Sequence, residues 1–317
     1  KGIVGLTWIK DRDNAYSHGL RDSSRGRHKD IFSNLVQDEV TNTDGVQKFL
    51  KGGIQIEDLL GLNASGASIV AWNWVANSGS TSSNADGSIT STVQANTTAG
   101  FSIVQWTGLG GGTGRTIGHG LSSAPEWIVV KNLTGSSSYN WNVYHIGLDA
   151  SNPSDYFISL NTTNARDNSV STWNDTAPTS TVFSIGTKNN VNQSGIDQMA
   201  ICIANTNGSV RVGSYFGNGN AYGPFIFTGF KPRAVWICRF DTTNENTSWK
   251  TSTTMGLAND NSAQTGSGSN HGNPIQHNIK MDSTDNGGPE VANQDNIDFF
   301  AQGFGIRTTD HKSNGDG

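Results

Sequence analysis

Glycosidase chemistry needs two carboxylates held across a sugar at a defined separation, and the chain carries five glutamates, Glu39, Glu57, Glu126, Glu245 and Glu290, none of them in a recognisable acid motif. Its aspartates stand mostly beside Gly, Asn or Ser, where a turn requires them. No Gly-x-Ser-x-Gly elbow occurs in a strand-to-helix setting. The glycine run Gly108–Gly114 has the flexibility to cradle phosphate, but no helix or lysine follows it, so it reads as a loop between strands. His271 and His277 flank Pro274 without a second ligand pair, which argues against zinc. Asp282 and Asp285 sit in an oxygen-rich turn that could hold calcium, yet the alternating spacing and closing Glu of a calcium loop are missing. An ordinary Asx turn is the plainer account, and no metal or cofactor is expected. Without a catalytic set, the chain is expected not to be an enzyme.

Recognition needs less. A ring face offers an apolar platform to the C–H face of a sugar. Trp173, in Ser171-Thr-Trp-Asn-Asp, and Trp249, in Thr247-Ser-Trp-Lys, lie in polar stretches, where an indole is either tucked onto a sheet or exposed as such a platform. In Tyr139-Asn-Trp-Asn-Val-Tyr144 the strand period places Tyr139, Trp141 and Val143 on the core side and turns Tyr144 away, which makes Tyr144 a third candidate. Asp22 and Arg25 are spaced to form a buried or half-buried pair that locks the loop after the first strand; contact with a ligand is the sharper alternative.

The elements that must position these groups are almost all β. Phe225-Ile-Phe-Thr-Gly-Phe, Tyr156-Phe-Ile-Ser-Leu and Val210-Arg-Val-Gly-Ser-Tyr are short runs of β-branched and aromatic residues bounded by Gly, Asn or Pro. Only Gln37–Val40 and Asp44–Leu50 suggest helical turns. Many short strands with frequent turns predict an all-β protein of tandem antiparallel β-sandwich units, lectin-like or jelly-roll-like.

The chain also repeats. A Trp-Ile pair precedes a basic residue three times, at Trp8-Ile9, Trp127-Ile128 and Trp236-Ile237, and these three tryptophans are expected to be structural. The last two copies follow Pro125 and Pro232 and share a lead-in of strand, Gly-rich turn and strand. A closing element recurs as Asn63-Ala-Ser-Gly66, Asn192-Gln-Ser-Gly195 and Ser313-Asn314-Gly315. Three units follow, near 1–78, 79–207 and 208–317, the second opening on the polar connector Asn77–Gly87. The first is expected to begin part-way through a unit and the third to stop before its last strand.

Composition agrees with exposed strands and turns. Apolar residues make up 33% of the 317 and charged residues 15%, both below ordinary usage, with Gly, Ser, Thr and Asn filling the difference. A net charge of −5 without a long basic stretch gives nucleic-acid binding little support. No apolar run reaches the length of a membrane span. Cys202 and Cys238 are too few for a disulfide scaffold and read as small apolar residues, though a single bridge stays open.

The ordered set Trp8-Ile-Lys-Asp-Arg-Asp13, His18-Gly-Leu-Arg-Asp22 and Arg25-Gly26, followed by the Asn-x-Ser-Gly element and the Gly217-Asn-Gly219…Gly229-Phe-Lys-Pro232 lead-in, resembles a concanavalin-like β-sandwich repeat domain of marine bacteriophage virion proteins. That resemblance spans nearly the whole chain, while copies two and three depart from the His-x-Leu-x-Asp and Arg-Gly pattern. It implies a non-enzymatic structural protein on the virion surface, in a tail fibre, spike or capsid appendage. Its partners would be other virion proteins and further copies of itself, with host-surface glycan a further possible contact. Two alternatives stay open beside it: a carbohydrate-binding module on a virus or bacterial surface, and a polysaccharide-degrading enzyme.

Overall fold

The structure, a computed structural model, describes residues 2–135, 138–243, 248–251, 279–284 and 297–316. Its strands pair antiparallel in sheets of five, eight, three and two strands. Alternating side chains give each sheet two faces, and the three Trp-Ile pairs use them in the same way.

In the first unit the strand Val4–Asp11 lies between Gly19–Asp22 and Ile69–Val75 in the five-stranded sheet. Trp8 and Leu6 enter a core shared by all three units, whereas Ile9 packs with Val46 and Leu62 beneath the hairpin Val46–Leu50/Gly53–Ile56. The strand Trp127–Asn132 sits mid-sheet in the eight-stranded sheet, between Asn142–His145 and Asp197–Ile203. Trp127 and Val129 join the shared core, and Ile128 and Val130 face a separate core with Phe183 and Ile185 from the pair Arg115–Gly118/Val182–Ile185. In the third unit Trp236 of the strand Ala234–Ile237 packs on the shared core, while Val235 and Ile237 contact Phe304 and Ile306 of the sheet Phe225–Phe227, Gly303–Ile306, Ile297–Phe300. Each unit is thus a sandwich of two sheets, of five and two strands in the first, eight and two in the second, and three and three among the described residues of the third, and the three sheets that carry the Trp-Ile strands turn their tryptophan faces toward one another.

Trp236 occupies the middle of that meeting. Its ring lies 5.5 Å from Trp8, 5.4 Å from Trp127 and 6.2 Å from Trp74, each edge to face. Polar ties cross the same boundaries. Trp141 Nε1 donates to Phe32 O and Leu35 O at 3.0 Å each, Lys131 Nζ to Val36 O at 3.1 Å, and Ser33 Oγ to Met281 O at 2.8 Å. The boundaries near 78 and 207 therefore separate repeats that share one core.

Neither helical turn expected at Asp44–Leu50 and Gln37–Val40 forms: residues 37–39 are irregular and run into the strand Val40–Thr41, and the turn at 44–45 runs into the strand Val46–Leu50. Val46–Leu50 forms a hairpin with Gly53–Ile56 across Lys51-Gly52, where Gly52 takes φ +82°, the left-handed conformation that a type II turn requires at its second central residue. Val40–Thr41 pairs with Lys29–Asp30. One-turn helices appear instead at the closing element of each unit, Leu60–Asn63, Asn189–Asn192 and His311–Asn314. Cys202 is buried and Cys238 half-buried, and both are free thiols.

Candidate functional site

The closing asparagines explain the glycine-rich lead-ins. Asn192 Nδ2 donates to Gly186 O at 3.1 Å, and its Oδ1 accepts from Leu109 N at 3.0 Å. Asn314 repeats this in the third unit, donating to Thr308 O at 2.7 Å and accepting from Asn218 N at 2.9 Å. Both side chains are fully buried. A Cβ at Gly108 would collide with Gln193 O, and one at Gly217 with Gly315 O, so the loop passes too close for any side chain. The run Gly108–Gly114 is thus a structural loop seated on a buried amide. In the first unit Asn63 is exposed.

Asp22 and Arg25 meet in a buried ion pair. Asp22 Oδ1 also accepts from Ser24 N at 3.1 Å and Arg25 N at 2.9 Å, and Arg25 donates to Glu39 at 3.1 Å and Leu20 O at 3.2 Å. These groups spend their hydrogen-bonding capacity on the protein, locking the loop after Gly19–Asp22 and leaving little for a ligand. Nearby, buried Arg21 pairs with Asp30 at 2.5 Å. His18 is fully buried, accepts from Trp8 Nε1 at 3.0 Å, and is held down at a pKa of about 3 by burial and then by the charge of Lys10. The neutral imidazole this imposes suits an acceptor from the indole N–H.

Two of the proposed sugar platforms are corrected by their surroundings. Trp173 and Tyr144 are 2% and 1% exposed, and they pack edge to face on each other at 6.1 Å inside the second unit's core. Rings enclosed in this way present no face to a ligand. The strand period does send Tyr144 to the opposite side from Trp141, but both faces of that strand are covered, by the shared core on one side and the unit's own core on the other. Burial also pushes the Tyr144 phenol up to about 12. Trp249 lies in the strand Ser248–Thr251, opposite Trp236, and its side chain lies outside the described residues. Asp282 occupies a turn, while Asp285, His271 and His277 lie outside the described residues.

The exposed chemistry lies elsewhere, on the small sheet of the third unit. Phe225 and Phe227 pair with Gly305 and Gly303, and Phe300 pairs with Gly303 from the other side. Period 2 puts these three rings and two glycines on the outer face. Phe225 is 54% exposed, Phe227 63% and Phe300 36%, and the Phe225 and Phe300 rings meet edge to face at 5.7 Å across the bare glycine strand. At ~200 Å² per ring these fractions leave roughly 300 Å² of aromatic surface in water, equal to the largest apolar patch of many monomers, a patch that is often functional.

Phe225–Phe227 is also an edge strand. Its counterpart in the second unit, Arg115–Gly118, is covered by the chain's own connector. Ile89 N donates to Thr116 O at 3.1 Å, and Ser88 and Thr116 exchange two further bonds at 2.9 Å. The stretch between Ile203 and Phe225 forms no strand, and it lays no strand along the outer edge of Phe225–Phe227. Among the described residues nothing pairs with the outer edge of Phe225–Phe227. Sequence reasoning marked this segment as a strand and missed its exposure; the available signal was glycine at alternate positions in Gly303-Phe-Gly-Ile, which leaves facing rings uncovered.

A family model described as "Domain of unknown function (DUF7483)" matches residues 4–317. No curated protein and no solved structure matches the chain. No helix among the described residues is long and apolar enough to cross a membrane, which leaves strands aside.

Proposed function

We propose that this chain, which belongs to the DUF7483 family, is a non-enzymatic structural subunit of a virion exterior, a tail fibre, spike or capsid appendage, built to assemble with copies of itself. The observation that carries the assembly is the aromatic edge strand Phe225–Phe227, which no strand among the described residues covers. An open edge offers unpaired N–H and C=O groups, and a protein that remains single blunts such an edge with charge, proline or a covering loop. Here the edge carries two half-exposed phenylalanines, and the second unit demonstrates the alternative in the same chain. A second copy supplies what is missing: another strand edge and another set of rings. The virion setting is supported by the Trp-Ile-Lys and His-x-Leu-x-Asp motifs of the first unit. The shared tryptophan core adds a mechanical reason, because three sandwiches locked through one centre form a stiff block suited to a fibre or spike.

Size-exclusion chromatography with light scattering, run over a range of micromolar concentrations on the wild type and on the Phe225→Ser/Phe227→Ser double variant, tests this. The expected result is an oligomer for the wild type and a monomer of unchanged thermal stability for the variant. A wild-type monomer at every concentration, or a variant that assembles equally well, removes the proposal.

A further inference from the structure

The second unit contains a small cavity of about 260 Å³ between the strands Asn142–His145 and Tyr156–Ser159, the segment after them and the turn Asn189–Asn192. Asn142 lies at its floor, is fully buried, and has no partner for either its Nδ2 or its Oδ1 among the described residues. A buried amide left this way carries a desolvation cost that a ligand or water can relieve. Asn164 and Asn190 line the same space. Asp167 and Lys188 stand on its wall, and the Lys188 ammonium lies 3.6 Å from the centre of the Phe157 ring. Burial pulls the Lys188 pKa down, and the Asp167 charge opposes that shift.

These groups select a ligand class. Each amide sets a donor beside an acceptor, which matches the neighbouring hydroxyls of a polyol. One cation and one carboxylate largely offset each other, so the site favours neither sign. An anion would meet Asp167 and a metal ion would meet Lys188. The volume lies below the range of about 300–1,000 Å³ that drug-sized ligands occupy, leaving room for one small ring. We infer that this amide-lined cavity binds a single neutral hexose residue of a glycan, with Asn142, Asn164 and Asn190 as hydroxyl partners and Lys188 as a further donor. The site lies apart from the aromatic edge strand, and its occupancy does not depend on assembly.

Amide chemical shifts of the ¹⁵N-labelled full chain, titrated with glucose, galactose and mannose, and in parallel with glucuronate and inorganic phosphate, test it. At least one neutral hexose should give saturable shifts centred on the strands and turn around the cavity, with millimolar affinity. Binding should weaken about tenfold or more in Asn164→Ala/Asn190→Ala, whose substitutions are at the cavity mouth and spare the core. Asn142→Leu should abolish binding while leaving the fold intact. Absence of saturable shifts with all three hexoses, stronger binding of phosphate or glucuronate, or unaltered binding in both variants would overturn the assignment and leave water as the cavity's occupant.

Discussion

Replacing Trp236 with alanine separates a shared core from three independent ones. Trp236 touches Trp8, Trp127 and Trp74 with ring centres 5.4–6.2 Å apart. Truncating a core tryptophan costs about 3–5 kcal/mol, and each well-placed ring pair contributes about 0.5–1.5 kcal/mol beyond its buried area. Trp236 is half-buried, which trims the transfer part, while its three ring contacts restore much of it. A loss of about 4 kcal/mol is expected, a large share of the roughly 5–15 kcal/mol that holds a typical domain folded. Urea unfolding followed by tryptophan fluorescence and by far-ultraviolet circular dichroism reads it out. Both signals should move together to lower urea in one transition, because the lost contacts belong to all three units. A cycle pairing Trp236→Ala with Trp8→Ala should show a coupling of about 0.5–1.5 kcal/mol. A loss under about 1 kcal/mol, far below the usual cost of a truncated core indole, would refute the shared core. A separate transition for the third unit, moving while the others stay fixed, would do so equally.

His18 makes the fold acid-sensitive. Its folded pKa of about 3 lies below the ordinary 6.5, so the unfolded chain binds the proton first; stability is whole above pH 6.5 and declines as pH falls through the window down to 3. The full loss approaches about 5 kcal/mol, and the His18→Asn variant should flatten the pH dependence of the urea midpoint across that window. Asn192→Ala and Asn314→Ala each strand a buried donor and acceptor and should cost roughly 2–4 kcal/mol in urea unfolding. Asn63→Ala, at the exposed equivalent position, should change stability by no more than about 0.5 kcal/mol; equal losses at all three sites would contradict the amide-and-loop account. Arg25→Met leaves Asp22 and Glu39 without their buried cation and should cost about 3–5 kcal/mol, measured the same way. A thermally unaltered variant would show the pair to be dispensable.

Much of the local architecture was legible in the residues alone. Period-2 alternation and turn glycines marked the chain as antiparallel β, and the Trp-Ile pairs, closing asparagines and glycine-rich lead-ins marked three related units. Adjacent residues on a strand face opposite ways, so the pattern already required Trp8, Trp127 and Trp236 to lie on the side away from their isoleucines. What that side meets is a non-local matter. Only the tertiary structure brought the three tryptophan faces into one core, and it did so because each unit has a second apolar face to bury. The same double burial defeated the single-sequence view of Tyr144 and Trp173, since alternation separates faces without revealing whether both are covered. The exposed rings of Phe225, Phe227 and Phe300 and the unpartnered amide of Asn142 escaped for a related reason. Whether a ring or an amide finds a neighbour depends on segments far away in the chain, such as the connector that bonds to Thr116 in the second unit and has no counterpart along Phe225–Phe227 among the described residues.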